Sequence, residues 1–299
     1  MKTRTLGPFT VSAIGLGAMP MSMGRNTQPS EEQAITTVHA ALDAGITFVD
    51  TADIYAPSWD TMGHNEAIVA NALGSWSGDA GSIVVGTKGG ITRGEGESWG
   101  RDGSEAYLRA ALEKSLRILG RDKIDLYQWH RPDRNIRYAE GVEALAKFRD
   151  EGLITAIGIS NANVEEIAVA VDVLGEGNLA SVQNQFSPRY RSSADELEYC
   201  AERGIAFLPW SPLGGTGADS KTLGENYPAI AEVAQARGVS PQQVTLAWEL
   251  AQAPVVIPIP GASRPESITD SVRAADLDLS ADELTLLNDS WGPQTPYAD

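Results

Sequence analysis

Four polar side chains with acid–base chemistry stand where three short apolar segments end. Asp50 and Tyr55 follow one segment, Lys88 ends the next and His130 follows the third. A lysine after an apolar run is costly to bury unless a carboxylate lies beside it, and Asp50 is the natural partner. With a phenol and an imidazole nearby, such a pair has the composition of a proton-transferring site.

Each of the four residues also has an ordinary structural interpretation. Asp50 could cap a turn, Tyr55 could pack at a rim, Lys88 could extend its ammonium into solvent, and His130 could be a hydrogen-bonded structural residue. Their concurrence at the C-terminal ends of the second, third and fourth predicted strands favours a functional cluster.

The elements that must position these residues are β-rich segments alternating with amphipathic helical stretches. The predicted strands are 13–16, 47–50, 83–87, 124–129, 156–159, 181–185, 206–210 and 255–257. This order predicts parallel strands joined by helical crossovers. Eight strands without a topological switch favour a closed (β/α)8 TIM barrel over an open doubly wound sheet, with 1–299 as a single domain.

Local signals support this organisation. Gly7-Pro8 separates Thr3–Leu6 from Phe9–Val11, which predicts a short N-terminal β-hairpin capping the barrel bottom. The predicted helix N-caps are Ser30, Ser240 and Ser280, and the predicted left-handed C-cap glycines are Gly45, Gly152 and Gly204. The Gly-rich stretches 86–103 and 213–224 are expected to be long loops on the active-site face.

Composition limits the function classes. A formal net charge of −17 opposes binding to nucleic acid or to an anionic membrane surface. Cys200 is the single cysteine and histidine occurs three times, so neither a disulfide nor a metal site is expected. No apolar run approaches the ~18 residues of a membrane span, and the N-terminus lacks a signal-peptide pattern. We therefore expect a cytoplasmic protein.

Gly15-Leu16-Gly17 follows a predicted strand, as the start of a dinucleotide-binding fingerprint would. Pro20 stands where the third glycine of that fingerprint belongs, so the pair is interpreted as a tight turn at a strand end.

The sequence resembles the aldo-keto reductase family over nearly its whole length. The motifs that carry the resemblance are Asp-Thr-Ala-Asp-Ile-Tyr at 50–55, Gly-His-Asn-Glu at 63–66, Thr-Lys at 87–88, Tyr-Gln-Trp-His at 127–130, Gly-Ile-Ser-Asn at 158–161, Gln-Asn-Gln-Phe-Ser at 183–187, Trp-Ser-Pro-Leu-Gly at 210–214 and Ile-Pro-Gly at 259–261. Each motif alone is weak, but their order and their positions at strand ends make the set specific.

The resemblance implies NADPH-dependent reduction of a small aldehyde or ketone by a catalytic tetrad. Tyr55 would donate the proton, and Lys88 would favour the phenolate and so ease proton release. Asp50 would keep Lys88 charged, while a neutral His130 would hydrogen-bond the carbonyl oxygen and orient it.

The resemblance also implies a set of NADPH-binding residues. Ser160, Asn161 and Gln183 would hold the nicotinamide carboxamide, and Trp210 would stack on its ring. Ser211, Leu213 and Gly215 would approach the pyrophosphate through backbone N–H groups. In the segment that includes Gly261 and Ser263, Arg264 would grip the 2′-phosphate. Ser267, Asp270 and Ser271 would face the adenine, where relatives often carry longer side chains.

Substrate contacts are less specific in the sequence. Met19, Met21, Trp59, Trp99 and Trp129 are candidate linings of an apolar pocket, with rim packing as the equal alternative. They suggest a hydrophobic or aromatic carbonyl substrate as the partner, while the sequence leaves the oligomeric state undefined. Two other functions stay open: a non-enzymatic, cofactor-sensing subunit on the same barrel, and a Schiff-base lyase that uses Lys88 as nucleophile.

Overall fold

The computed structural model describes residues 1–23, 28–215 and 220–291. The strands are β1 (Thr3–Leu6), β2 (Phe9–Ser12), β3 (Leu16–Gly17), β4 (Phe48–Asp50), β5 (Val84–Gly89), β6 (Ile91–Gly94), β7 (Ser98–Arg101), β8 (Ile124–Trp129), β9 (Ile154–Ser160), β10 (Leu179–Gln183) and β11 (Ala206–Phe207). The helices are α1 (Glu31–Asp43), α2 (His64–Ser75), α3 (Glu105–Leu119), α4 (Tyr138–Asp150), α5 (Val164–Leu174), α6 (Ala194–Arg203), α7 (Leu223–Asn226), α8 (Pro228–Arg237), α9 (Pro241–Leu250), α10 (Pro265–Val272) and α11 (Ala281–Ser290).

A parallel sheet forms most of the barrel wall, in the order β3-β4-β5-β8-β9-β10-β11. Helices follow its strands along the chain and pack outside the sheet. The predicted eighth strand is not a regular strand. Its segment, 255–261, lies between β11 and β3 and joins both through isolated parallel bridges of Val256 with Phe207 and of Gly261 with Gly17. The ring is thereby closed, and the predicted (β/α)8 barrel is confirmed.

Prolines explain why the eighth segment forms bridges and not a ladder. The N–H groups of Ile257 and Ile259 donate to the carbonyls of Phe207 and Pro209. On the other side, Gly15 and Gly17 donate to the carbonyls of Pro258 and Pro260. We call this junction between the eighth segment and β3 the seam. Because a proline has no N–H, Pro258 and Pro260 cannot donate hydrogen bonds back to β3, and the seam has only about half of the hydrogen bonds of a regular parallel pair.

Alternation along the strands fills the lower barrel with apolar side chains. This interior cluster contains Phe48, Val84, Leu126, Ala156, Ala180, Ala206, Leu208, Ile257 and Ile259. Leu6 and Val11 of the β1–β2 hairpin are fully buried in the same cluster. The hairpin therefore closes the bottom of the barrel, as the sequence predicted.

The local cap predictions are confirmed. The Ser30, Ser240 and Ser280 side chains accept hydrogen bonds from the backbone N–H groups of Gln33, Gln243 and Glu283. Gly45, Gly152 and Gly204 have φ values of 94°, 80° and 66°. These caps set the points at which the chain turns into and out of each helix.

Further predictions about chain segments were wrong. The stretch 86–103 is not a long loop, because β5 continues to Gly89 and the antiparallel hairpin β6–β7 follows. The first barrel strand begins at Leu16 and not at residue 13. Part of the predicted loop 213–224 lies outside the described residues. Within the described ranges, each helix is too short or too polar to cross a bilayer.

The tight-turn interpretation of the Gly15-Leu16-Gly17 motif was wrong, because Leu16–Gly17 form strand β3 and neither glycine has a positive φ. The two glycines instead allow close approach of the backbone at the seam. A Cβ at Gly15 would lie 2.7 Å from Cδ1 of Phe48, and a Cβ at Gly17 would lie 2.7 Å from the carbonyl oxygen of Ile259. The second contact is with rigid backbone, so the neighbour cannot move aside cheaply.

We predict that Gly17→Ala lowers the free energy of unfolding by about 1–3 kcal/mol, because the added methyl forces the seam apart. Urea denaturation followed by circular dichroism measures the change. Gly74→Ala is the matched control: Gly74 lies in α2 with open space around its Cα, and the alanine should stabilise the protein by about 0.5–1 kcal/mol. A Gly17→Ala variant as stable as the wild type would contradict this account of the seam.

Candidate active site

Above the apolar layer, the same strand alternation places polar side chains inside the barrel mouth. Asp50 lies two residues beyond Phe48, Lys88 four residues beyond Val84, and Gln128 two residues beyond Leu126. Side chains two or four residues apart in a strand share a face, so these groups face the interior. The C-terminal ends of the barrel strands thus form a polar layer over an apolar floor.

The centre of this layer is a buried ion pair. Lys88 Nζ lies 2.5 Å from Asp50 Oδ1 and also donates to the Thr51 carbonyl at 2.9 Å. Lys88 is 0% exposed and Asp50 is 2% exposed. Asp50 Oδ2 accepts from the side-chain amides of Gln128 at 3.0 Å and Gln183 at 2.9 Å. Both charged groups are therefore paired and hydrogen-bonded, as buried charges require.

The environment keeps Lys88 protonated. Burial alone lowers the pKa of its ammonium, but the negative charge and hydrogen bond of Asp50, with a contribution from Tyr55, outweigh burial and raise the pKa above its ordinary value. An amine held protonated is a poor nucleophile. This argues against the Schiff-base lyase alternative.

Tyr55 lies beside the pair, with Lys88 Nζ 5.1 Å from the centroid of its ring. Burial raises the pKa of the phenol, the positive charge of Lys88 lowers it, and the net direction is upward. The expected effect of Lys88 is present, but burial outweighs it. The phenol is therefore fully protonated at neutral pH, which is the state that a proton donor needs.

His130 completes the cluster. Its ring centroid is 5.7 Å from that of Tyr55 in an edge-to-face arrangement, and its backbone N–H donates to the Gly89 carbonyl at 2.9 Å. Burial and the charges of Lys88 and Arg131 hold its pKa well below the ordinary value. This direction of shift favours the neutral imidazole at neutral pH. Within the described residues, its buried Nδ1 has no hydrogen-bond partner.

Asn65, in the first turn of α2, fixes the segment that carries Tyr55. Its backbone N–H donates to the Tyr55 carbonyl at 3.0 Å. Its fully buried side chain accepts from Thr51 Oγ1 at 2.6 Å and donates to the Ala18 carbonyl at 2.9 Å and to Ser22 Oγ at 2.8 Å. One amide thus links three segments of the mouth, and it belongs to the Gly-His-Asn-Glu motif.

Gln128 is a site residue that was not predicted, although it lies in the Tyr-Gln-Trp-His motif at 127–130. It donates to Asp50 and accepts from Gln183 Nε2 at 3.2 Å. Its position two residues before His130 in β8 was the available signal, since both must face the same side of the strand.

The predicted nicotinamide-binding residues form one connected group at the ends of β9 and β10. Ser160 Oγ donates to the Gln183 carbonyl at 2.7 Å, and Asn161 Nδ2 donates to the His130 carbonyl at 3.0 Å. Trp210 Nε1 donates to Asn161 Oδ1 at 3.2 Å. Asn161 holds a left-handed φ of 57°, a backbone state that asparagine adopts more readily than most residues.

The predicted pyrophosphate segment is a tight turn. Ser211 has a φ of 52°, Gly214 one of 83° and Gly215 one of 148°, and the Gly214 N–H donates to the Ser211 carbonyl at 2.9 Å. Leu213 is half-buried and packs against the core. Successive backbone groups in such a turn can present N–H groups to an anion.

The last predicted binding segment lies at the start of α10. Gly261 is exposed in the bridge to Gly17, Ser263 accepts through its carbonyl from Gln33 Nε2, and Arg264 is exposed with its guanidinium 3.5 Å from Ser267 Oγ.

Two residues predicted for the adenine end are engaged elsewhere. Asp270 accepts 2.6 Å bonds from Ser240 Oγ and Gln243 Nε2, which tie α10 to α9. Ser271 is buried and donates within its own helix to the Ser267 carbonyl. These contacts give both side chains a structural role.

The aromatic and methionine candidates for the substrate pocket separate into two groups. Trp59 and Trp99 are 39% and 50% exposed, beside the mouth, and Met19 is half-buried at the end of β3. Met21 and Trp129 are each 1% exposed within the main core.

Trp129 does not line the mouth. It alternates with Gln128 and His130 and so points outward, where it stacks on Tyr138 of α4 at 4.9 Å. The structure therefore removes Trp129 from the pocket, and burial in the core removes Met21.

Fold and site together define the class: a parallel α/β-barrel enzyme with an acid–base cluster at the C-terminal ends of its strands. The chain belongs to the aldo/keto reductase family, whose model matches residues 13–291.

Individual relatives agree with this assignment. The chain is 32% identical to an uncharacterised oxidoreductase of Schizosaccharomyces pombe over 289 residues, covering 96% of this chain and 89% of the relative. It is 33% identical to pyridoxine 4-dehydrogenase of Escherichia coli over 301 residues, covering 96% and 97%. An aldo/keto reductase from Klebsiella pneumoniae, solved with NADP and acetate, superposes with a TM-score of 0.81 at 28% identity, covering 99% and 98%.

The depressed pKa of His130 yields a direct prediction. At pH 6, a histidine with an ordinary pKa near 6.5 is mostly protonated. We expect the His130 imidazole to remain neutral there, because protonation would place a second positive charge near Lys88 in a buried site. Long-range ¹H–¹⁵N spectra of the imidazole nitrogens, assigned with a His130→Gln variant, measure this. An imidazolium signature for His130 at pH 6 would exclude the predicted neutral hydrogen-bond donor.

Proposed function

We propose that the protein catalyses NADPH-dependent reduction of a small aldehyde or ketone to the alcohol, with Tyr55 as the proton donor. The observation that carries the proposal is the fully buried Lys88–Asp50 pair with the Tyr55 ring against the ammonium. We also infer that 1–299 acts as one domain, since the family match spans most of the chain and the N-terminal hairpin is built into the barrel floor.

The proton-transfer step follows from the charges around Tyr55. The phenol is neutral before reaction because burial raises its pKa. When it gives its proton to a developing alkoxide, the phenolate left behind faces a permanent ammonium in a low-dielectric site, where that attraction is strong. Lys88 thus stabilises the product side of the transfer. Asp50 keeps Lys88 from releasing its own proton.

His130 orients the substrate. A neutral imidazole can donate one hydrogen bond to a carbonyl oxygen without competing with Tyr55 as an acid. With His130 and Tyr55 on adjacent sides, a carbonyl oxygen placed between them is held for reduction. The apolar surfaces of Trp59, Trp99 and Met19 suit a hydrophobic or aromatic substituent on that carbonyl.

The residues present fit NADPH. Arg264 is exposed, and none of the described carboxylates lies within 4 Å of it, although the chain is strongly acidic. A guanidinium left available beside a helix N-terminus suits a dianionic 2′-phosphate. The 211–215 turn would hold the pyrophosphate, and Ser160, Asn161 and Gln183 the carboxamide beside the Trp210 ring. When bound, the dihydronicotinamide supplies the hydride.

Tyr55→Phe tests the proton donor. We expect kcat for an activated aldehyde to fall by about 10²-fold or more, because general acid catalysis contributes on that scale. The dissociation constant for NADPH, measured by fluorescence titration, should not change. Tyr138→Phe is the matched control, since Tyr138 stacks on Trp129 outside the barrel and should retain full activity. Wild-type kcat in Tyr55→Phe would refute the proposed acid.

Arg264→Ala tests the cofactor. Loss of a charged hydrogen-bond donor to the 2′-phosphate should raise the dissociation constant for NADPH about tenfold or more. Affinity for NADH, which lacks that phosphate, should stay the same. Arg273→Ala, at another exposed arginine close to α10, serves as the control and should leave both affinities unchanged. Equal weakening of both nucleotides would place Arg264 away from the 2′-phosphate.

A further inference from the structure

The β6–β7 hairpin directly follows the strand that carries Lys88, and its Arg93 reaches back to the catalytic segment. Arg93 is 9% exposed. Its Nη1 donates to the carbonyls of Ile54 at 3.2 Å and Ala56 at 2.8 Å, and its Nη2 donates to the carbonyl of Pro57 at 3.3 Å. These three carbonyls lie on both sides of Tyr55 in the chain. One rigid, planar group therefore holds the backbone on either side of the proposed proton donor.

The other side of the guanidinium is also fixed. Arg93 Nε donates to Glu97 Oε2 at 2.6 Å, and Glu97 Oε1 accepts from the Trp59 backbone N–H at 2.9 Å. The Trp99 ring covers the guanidinium, with its centroid 4.8 Å from Arg93 Cζ. The Glu97 carboxylate and the Trp99 ring fix the orientation of the Arg93 guanidinium. Because both residues belong to the hairpin region, the hairpin sets the direction in which the guanidinium faces the Tyr55 segment.

Glu97 occupies an unfavourable backbone state. Its φ of 60° is in the left-handed region, which a residue with a Cβ adopts only at a cost in free energy. This conformation positions the Glu97 carboxylate, which bridges the Arg93 guanidinium and the backbone N–H of Trp59. Strain retained at such a point is typical of sites that need a fixed geometry.

Few other hydrogen bonds hold this part of the catalytic segment, although Ile54 also packs against Ala52 and Ile91. In the described part of the chain, no backbone N–H donates to the carbonyls of Ile54, Ala56 or Pro57, so Arg93 is their donor. The Tyr55 N–H and carbonyl are bonded to Ala52 and Asn65, which fix its upstream side and its link to α2. The carbonyls of Ala56 and Pro57, just downstream of Tyr55, are held by the guanidinium.

We propose that Arg93 is a positioning residue: it holds the backbone at 54–57 so that the Tyr55 phenol lies against Lys88 and His130. The proposal rests on the proposed function of Tyr55 as proton donor. Arg93 contacts neither the substrate nor the cofactor in this role. Its loss should therefore reduce the chemical step and not the binding of NADPH.

The test compares Arg93→Gln, Arg93→Lys and Glu97→Gln with the wild type. We expect kcat to fall about tenfold or more in Arg93→Gln, because small displacements of a reacting group carry costs of this size. The dissociation constant for NADPH should stay within about twofold. Arg93→Lys keeps the positive charge but loses the planar guanidinium, so its kcat should lie between those of Arg93→Gln and the wild type. Glu97→Gln should lose less kcat than Arg93→Gln.

Arg121→Gln is the matched control. Arg121 also pairs with a carboxylate four residues on, Asp125, and donates to a main-chain carbonyl, that of Ile83 at 3.4 Å, but at the opposite end of the barrel. It should lower the melting temperature at most and leave kcat unchanged.

A double-mutant cycle separates positioning from general stabilisation. If Arg93 acts through Tyr55, Arg93→Gln should cost nothing further in a Tyr55→Phe background. An equal loss of kcat in both backgrounds, or wild-type kcat in Arg93→Gln, would overturn the proposal. Should Arg93→Gln fail to fold, the exposed Glu97→Gln variant carries the same cycle with the same two outcomes. Failure of the proposed function is distinct, since the wild type itself would then reduce no carbonyl.

Discussion

The mouth of the barrel depends on one buried ion pair. Placing Lys88 and Asp50 out of water costs several kcal/mol for each charge, and only close pairing with complete hydrogen bonding offsets it. Gln128, Gln183 and the Thr51 carbonyl supply those hydrogen bonds from three further positions. Apolar residues of similar volume would give comparable stability without this arrangement. Retaining the pair therefore points to the chemistry of the ammonium and not to the needs of the fold.

The barrel can bury this ion pair because the interior face of its strands is apolar at the bottom and polar at the mouth. Lower interior positions are apolar and sealed by Leu6 and Val11, while positions two or four residues further along carry the polar groups. Because side chains alternate between the two faces of a strand, the register of each strand places its apolar floor residue and its polar mouth residue inside the barrel together. The apolar floor keeps water from reaching the ion pair from below, so its electrostatic effect on Tyr55 is weakly screened. Stability and reactivity here share a single geometric origin.

Features that depend on a few neighbouring residues could be predicted from the sequence. Strand ends, helix caps such as Ser280 and the hairpin at Gly7 follow from short patterns, and the tetrad positions follow from strand ends in order. Side-chain direction was predicted less well. Trp129 was a candidate for the pocket lining, with rim packing as the equal alternative, although its place between Gln128 and His130 requires it to face outward.

Contacts that depend on the packing of elements could not be predicted from the sequence. The bonds from Asp270 to Ser240 and Gln243 depend on how α10 packs on α9. The hairpin within 86–103 was hidden by glycines that suggested a loop, and its pairing depends on how Ile91 and Arg101 meet across a turn. Such features are decided by packing, which a single chain's local pattern does not reveal.

The proline-rich seam decides where the barrel wall can open. Gly15 and Gly17 donate across it to the carbonyls of Pro258 and Pro260, and neither proline can return a hydrogen bond. The strands from β3 to β11 are joined by regular parallel pairing, and Lys88 lies within that part of the wall. We therefore expect local opening of the wall to begin at the seam, while the pairing around Lys88 stays closed.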